Sequence, residues 1–156
     1  MAQHGAPQLQ VDATGLNVAI IAGSWHTTIM TGLIDGAKTA LEASGATYKL
    51  VTVAGSFELP LAAQAALDNG YDAVVCLGVI IRGETPHFDF VSDAVTAGLT
   101  RVQLDAGKPV GFGILTVDDD AQALDRAGLA DSKESKGQEA AEAAVQLAVT
   151  VQTLAE

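Results

Sequence analysis

The segment Arg82–His87 holds the residue types in this sequence that are best suited to chemistry. It follows an apolar run and reads Arg-Gly-Glu-Thr-Pro-His. Thr85 before Pro86 is typical of a helix N-cap followed by proline at the first helical position, and the free N–H groups of a helix start bind anions. Gly83 lets the backbone approach a ligand closely. His87 would lie in the first helical turn, beside the anion, where imidazole can take up and return a proton.

A structural interpretation of the same segment stays open. A well-capped helix with an ordinary surface histidine has the same pattern. Arg82 fits a structural salt bridge at least as well as it fits a phosphate ligand.

Two other loops follow apolar runs and contain candidate binding residues. Trp25, the only tryptophan in the chain, comes directly after the first run. Its ring is suited to stacking on a planar heterocycle and equally to partial burial, whereas we expect no role for the adjacent His26. Gly55-Ser56-Phe57-Glu58 follows the second run, and its backbone groups and the Glu58 carboxylate are suited to binding polyol hydroxyls. Glu58 equally fits a structural role, in which its negative charge stabilises the N-terminus of the helix that follows.

Arg126 and Lys136 are conspicuous because the chain is strongly acidic. The chain contains eight Lys and Arg residues and nineteen Asp and Glu residues, which gives a formal net charge of −11. This balance argues against nucleic-acid and anionic-membrane partners, which need clustered cations. The two cations flank the connection between the last two predicted helices and are candidates for a phosphate clamp, with solvated charge as the alternative. The run Asp118–Asp120 favours helix capping over a metal site.

Length and composition predict one domain in a reducing compartment. The chain has 156 residues, of which 49% are hydrophobic. Its single cysteine, Cys76, cannot form an internal disulfide, so we expect a cytoplasmic protein. No apolar stretch reaches the roughly 18 residues of a membrane span. Residues 1–10 are expected to form a polar tail, and no motif for a tightly bound nucleotide or metal is present.

Short apolar runs alternate along the chain with segments in which apolar residues recur at helical spacing. This pattern predicts strands at residues 16–22, 48–53, 73–79 and 110–115, and helices at 28–44, 60–69, 86–106, 119–127 and 136–154. Ser135 and Gln138 fit a capping box at the start of the last helix. Alternating strands and helices predict an α/β fold with a mainly parallel four-stranded sheet and helices on both faces. Ligands of such sheets bind beyond the carboxyl ends of the strands.

Taken in order, these segments resemble the lumazine synthase family from about Leu16 to the C-terminal helix. The most specific stretches are GSFELP at 55–60, LGVIIRGETPHFDFV at 77–91, DRAG at 125–128 and SKG at 135–137. The resemblance implies the penultimate step of riboflavin biosynthesis. In that step, 5-amino-6-(D-ribitylamino)uracil condenses with 3,4-dihydroxy-2-butanone 4-phosphate to 6,7-dimethyl-8-ribityllumazine, phosphate and water. The resemblance implies neither a cofactor nor a metal.

The resemblance also implies an assembly. Members of the family have a flavodoxin-like three-layer α/β/α sandwich and form homopentamers, with the active site between neighbouring subunits. In some members, twelve pentamers build an icosahedral shell of sixty subunits. Whether the protein also associates with riboflavin synthase stays an open question at this point. The connection at residues 128–136 looks longer than in shell-forming members, which favours a free pentamer here.

Site residues follow from the resemblance position by position. His87 and Arg126 would be catalytic, with His87 moving protons and a neighbouring subunit's Arg126 binding phosphate. Trp25 would stack on the pyrimidine. The other expected substrate contacts are Ser56, Phe57, Glu58, Val79, Ile80, Ile81, Gly83, Glu84, Thr85, Phe112 and Lys136, the last two from the neighbour. Glu84 departs from the expected chemistry, because its carboxylate must point away from the phosphate.

Overall fold

The computed structural model describes residues 10–156, so nearly all of the predicted polar tail lies outside the described residues. Four strands form one sheet within this range: β1 (Asn17–Gly23), β2 (Thr47–Val53), β3 (Ala73–Ile81) and β4 (Val110–Val117). Their order is β2-β1-β3-β4, and every neighbouring pair is parallel. This is the order of the first four strands of a flavodoxin-like sheet, and it leaves β2 and β4 as edge strands.

Helices cover both faces of the sheet, as predicted. They are α1 (Thr27–Ser44), α2 (Leu59–Asp68), α3 (His87–Ala106), α4 (Asp120–Arg126) and α5 (Lys136–Leu154). Apolar residues of α1, α4 and α5 form one core with alternate strand residues such as Ile20. Those of α2 and α3 form a second core with the intervening strand residues, such as Ile21. The three-layer α/β/α architecture is therefore confirmed. No helix in residues 10–156 is long and apolar enough to cross a membrane.

Strands β3 and β4 each extend two residues beyond their predicted ends. Ile80 pairs with Thr116 and Ile81 pairs with Val117. The predicted ends at residues 79 and 115 were wrong because this pairing joins distant parts of the chain. Ile80 and Ile81 consequently belong to the strand and not to the loop after it.

The predicted cap of α3 is displaced by one residue. Pro86, not Thr85, is the N-cap residue, because its carbonyl accepts the first helical hydrogen bonds from the N–H groups of Asp89 and Phe90. The Thr85 hydroxyl accepts a long hydrogen bond from the His87 N–H at 3.4 Å. His87 therefore begins the helix.

The predicted capping box of α5 does not form. Ser135 is the N-cap residue, but its side chain makes no capping bond. Its hydroxyl packs instead against the glycines Gly36 and Gly128, and the Gln138 amide donates to Glu142 at 3.0 Å. The predicted cap of α4 is confirmed, since the Asp119 carboxylate accepts from the Gln122 N–H at 2.9 Å.

Glycines bring α1 into direct contact with the start of α5. A Cβ on Gly137 would overlap the Leu33 carbonyl of α1, and a Cβ on Gly32 would overlap the Ala127 carbonyl. This close packing fixes the connection between α4 and α5 against α1. It thereby positions Arg126 at the end of α4 and Lys136 at the start of α5.

Candidate active site

A groove of about 700 Å³ lies beyond the carboxyl ends of β1, β2 and β3, against the start of α3. We call it the strand-end groove. It is lined by most of the predicted site residues, namely Trp25, Ser56, Phe57, Glu58, Val79, Ile80, Ile81, Gly83, Thr85 and His87. Glu84 is exposed and is not among the lining residues.

The turn after β2 supplies one wall of the strand-end groove. Residues Ser56–Glu58 form a short 3-10 helix, and a Glu58 carboxylate oxygen accepts from the Gly55 N–H at 2.8 Å. Ser56 is buried against β3, where a Cβ on Gly78 would overlap its hydroxyl. The turn is therefore held in place at both ends, while the Phe57 ring stays 64% exposed.

The turn after β1 brings Trp25 to the same wall. Ser24 ties this turn to the end of β2, since its N–H donates to the Ala54 carbonyl at 3.1 Å. The Trp25 ring lies beside Gly55 and is 68% exposed. A large aromatic face open to solvent beside a polar turn is suited to stacking on a ring-shaped ligand.

Arg82, in the loop between β3 and α3, and His87, the first residue of α3, have different surroundings. Arg82 donates to Asp118 at 2.9 Å, lies 3.6 Å from Asp89 and stacks over the Phe88 ring at 4.3 Å. The hydrogen bond that Arg82 donates to Asp118 raises the pKa of Arg82, and the charge of Asp89 adds to the effect. Arg82 thus follows the salt-bridge interpretation, whereas His87 is exposed at the groove.

A second cavity of about 340 Å³ lies along the free edge of β4, and we call it the edge pocket. Its lining includes the three other predicted contacts, Phe112, Arg126 and Lys136, together with Glu139. Arg126 Nη1 donates to the Gln122 carbonyl at 2.9 Å. Lys136 Nζ lies 3.4 Å from Glu139.

Glu134 contacts both cations of the edge pocket. Its carboxylate lies 3.3 Å from Lys136 Nζ and 3.7 Å from Arg126 Nε. The pKa of Lys136 lies above its ordinary value: burial lowers it, and the carboxylates of Glu139 and Glu134 are among the contacts that raise it. The ammonium therefore keeps its positive charge although only 15% of the side chain is exposed.

Apart from Glu84, the predicted site residues fall into two cavities that share no lining residue. The strand-end groove holds the candidates for ring, polyol and proton chemistry. The edge pocket holds the cations and Phe112, and it opens along an edge strand where another chain can approach. Among residues 10–156, no group of three His, Cys, Asp or Glu side chains is placed to hold a metal ion.

Sequence reasoning missed several residues at these cavities. His26, which we expected to have no role, lines the strand-end groove in a left-handed conformation with φ 58°. Gly78 leaves room for the Ser56 side chain. A glycine inside an apolar strand is itself a signal that another part of the chain packs closely against it. Glu134 and Glu139 carried no local signal, because their importance depends on the cations beside them.

Comparison with known proteins now identifies the family. The family model described as 6,7-dimethyl-8-ribityllumazine synthase matches residues 15–152. The chain belongs to this family. Its relatives of that name include proteins from Leifsonia xyli subsp. xyli, 60% identical over 99% of both chains, and from Clavibacter sepedonicus, 59% identical over 99% of this chain and 98% of the relative. A third, from Kineococcus radiotolerans, is 54% identical over 99% of this chain and 97% of the relative.

Family membership confirms the resemblance seen in the sequence. The matched region contains both cavities, from Trp25 in the strand-end groove to Lys136 in the edge pocket. The prediction of an enzyme, a transferase of riboflavin biosynthesis, is likewise confirmed by the shared name of the relatives.

Proposed function

We propose that this chain condenses 5-amino-6-(D-ribitylamino)uracil with 3,4-dihydroxy-2-butanone 4-phosphate at a site shared by two subunits. The observation that carries this proposal is the division of the site residues between two cavities of one chain. Neither cavity combines an aromatic platform, a proton-transfer group and cations. The strand-end groove of one subunit placed against the edge pocket of another supplies all three.

Each cavity has a distinct part in binding. Trp25 stacks on the pyrimidine from one side, and Phe112 of the neighbouring subunit covers the other side. The turn at Ser56–Glu58, with the end of β3, binds the ribityl hydroxyls. The start of α3 near Thr85 and the neighbour's Arg126 bind the phosphate.

In this proposal, His87 performs the proton transfers that the reaction needs. The ring amine attacks the ketone, and loss of water forms an imine. A proton leaves carbon as phosphate is eliminated, the resulting enol tautomerises, and the second amine closes the ring with loss of another water. General acid–base catalysis contributes about 10²–10⁴-fold, and holding both reactants together contributes effective molarities up to about 10⁵–10⁸ M.

Exposed apolar side chains around the strand-end groove support assembly. Trp25, Phe57, Leu61 and Phe90 are 64–73% exposed, and clustered apolar surface of this kind marks protein contacts. We propose a homopentamer, and the long connection at residues 128–136 favours a free pentamer over a shell. Native mass spectrometry tests this directly: a particle of five chains is expected, and a monomer would contradict the shared site. Cytoplasmic location and association with riboflavin synthase stay predictions.

Mixing two impaired variants, assayed at a butanone phosphate concentration well below its KM, tests whether the site is shared. His87→Ala and Arg126→Ala are each purified, unfolded together and reassembled, and lumazine formation is followed by absorbance. Contacts that place the groove of an Arg126→Ala chain against the edge pocket of a His87→Ala chain contain both intact residues. Activity well above that of either variant alone is expected.

The control for mixing is reassembly of each variant with the double variant, which restores no intact pair. A mixture that stays at the level of its components would show that the two cavities do not work together across subunits.

A further inference from the structure

A buried carboxylate lies behind the two cations of the edge pocket. The Glu134 side chain is 9% exposed, and its oxygens lie 3.3 Å from Lys136 Nζ and 3.7 Å from Arg126 Nε. A buried charge is costly unless it is paired, so Glu134 is held as the counter-charge of these cations. We propose that Glu134 is a built-in counter-anion that weakens phosphate binding in the edge pocket, so that phosphate leaves after each turnover. This inference rests on the proposed function.

The backbone fixes Glu134 in this place. Its N–H donates to the Asp125 carbonyl at 2.9 Å, and its carbonyl accepts from the Gly128 N–H at 3.0 Å. An antiparallel bridge between Ala127 and Ser135 closes the same connection. The main chain that carries this side chain is therefore held in place.

Each cation of this cluster is paired with a carboxylate. Glu134 lies 3.7 Å from Arg126 and 3.3 Å from Lys136, and Glu139 lies 3.4 Å from Lys136. A phosphate dianion entering the pocket is attracted by the cations and repelled by the carboxylate behind them. At separations of a few ångströms in a partly buried site, this repulsion is strong enough to set the affinity.

Each cation keeps a second partner when Glu134 is neutralised. Arg126 donates to the Gln122 carbonyl at 2.9 Å, and Lys136 pairs with Glu139 at 3.4 Å. Glu134→Gln, which keeps the shape of the side chain, therefore removes charge while both cations stay held. This is why we expect tighter phosphate binding and not a disordered pocket.

The test measures inorganic phosphate as a competitive inhibitor against the butanone phosphate. The inhibition constant of Glu134→Gln is expected to be lower than that of the unmodified enzyme by at least about fivefold. Glu134→Ala also removes the charge and buries no amide, so it must shift the constant in the same direction. The matched control is Asp125→Asn, which loses an ion pair with Lys133 at 3.5 Å in the same connection but contacts neither cation. Its inhibition constant is expected to be unchanged.

Direct titration of phosphate by calorimetry separates this inference from the proposed function. If the enzyme forms no lumazine but Glu134→Gln still binds phosphate more tightly, the counter-anion stands and the proposed function fails. If lumazine forms and the charge-removing variants that assemble bind phosphate equally or more weakly, Glu134 only anchors the cations and the inference is overturned. Native mass and circular dichroism identify which variants assemble.

Discussion

The hydroxyl of Ser56 packs directly against Gly78 of β3, where a side chain would take its place. This contact holds the turn Ser56–Glu58 at the wall of the strand-end groove. The shape of the groove therefore depends on a glycine in the middle of an apolar strand.

Gly78→Ala is expected to push the turn away from β3. Overpacking of this kind destabilises by about 1–3 kcal/mol, which thermal unfolding measures. The KM for the ribitylamino substrate should rise because Ser56 and Glu58 shift together. Gly23→Ala is the matched control, since a Cβ there meets its nearest atoms at 3.7 Å, an ordinary contact distance. Equal stability and kinetics for the two variants would contradict the role of this packing.

His87→Ala should slow the reaction without abolishing it. The loss of general acid–base catalysis lowers kcat by roughly 10²-fold or more, while positioning of the two substrates is kept. Steady-state kinetics at saturating substrates measure the effect, and native mass verifies that the assembly is intact. A kcat equal to that of the unmodified enzyme would exclude His87 from proton transfer.

Arg126→Ala should raise the KM for the butanone phosphate. A charge-assisted hydrogen bond is worth about 1.5–3 kcal/mol, which corresponds to a rise of roughly 10- to 150-fold. The KM for the ribitylamino substrate should change far less. Arg101→Ala is the control, because Arg101 is an exposed residue of α3 that pairs with Asp105. An unaltered KM for the butanone phosphate in Arg126→Ala would show that Arg126 does not bind the phosphate.

Cys76 should be inert in the folded protein. It is buried in the middle of β3, and burial raises the pKa of its thiol to about 12. The reactive thiolate is therefore scarce at neutral pH, and reagents have no access. A chromogenic disulfide reagent at pH 8 should modify Cys76 only after a denaturant is added. Rapid stoichiometric modification of the native protein would show that β3 opens readily.

Short-range patterns in the sequence were enough for the element order and for the strand-end groove. Apolar runs such as residues 73–79 mark buried strands, and in a parallel sheet the segments after the strands meet at one edge. That rule places Trp25, Glu58 and His87 together without knowledge of the strand order. The errors were local as well. For example, the sequence predicted Thr85 as the N-cap residue of α3, whereas the N-cap residue is Pro86.

What the sequence by itself determined is the alternation of strands and helices, the family and the residues that line the groove. The tertiary structure alone decided that Phe112, Arg126 and Lys136 lie in a separate pocket along β4, and that the buried Glu134 carboxylate contacts both cations. Caps and apolar runs depend on near neighbours along the chain. The position of β4 at the sheet edge, and the glycine contacts that press the α4–α5 connection against α1, depend on pairings between residues far apart in sequence.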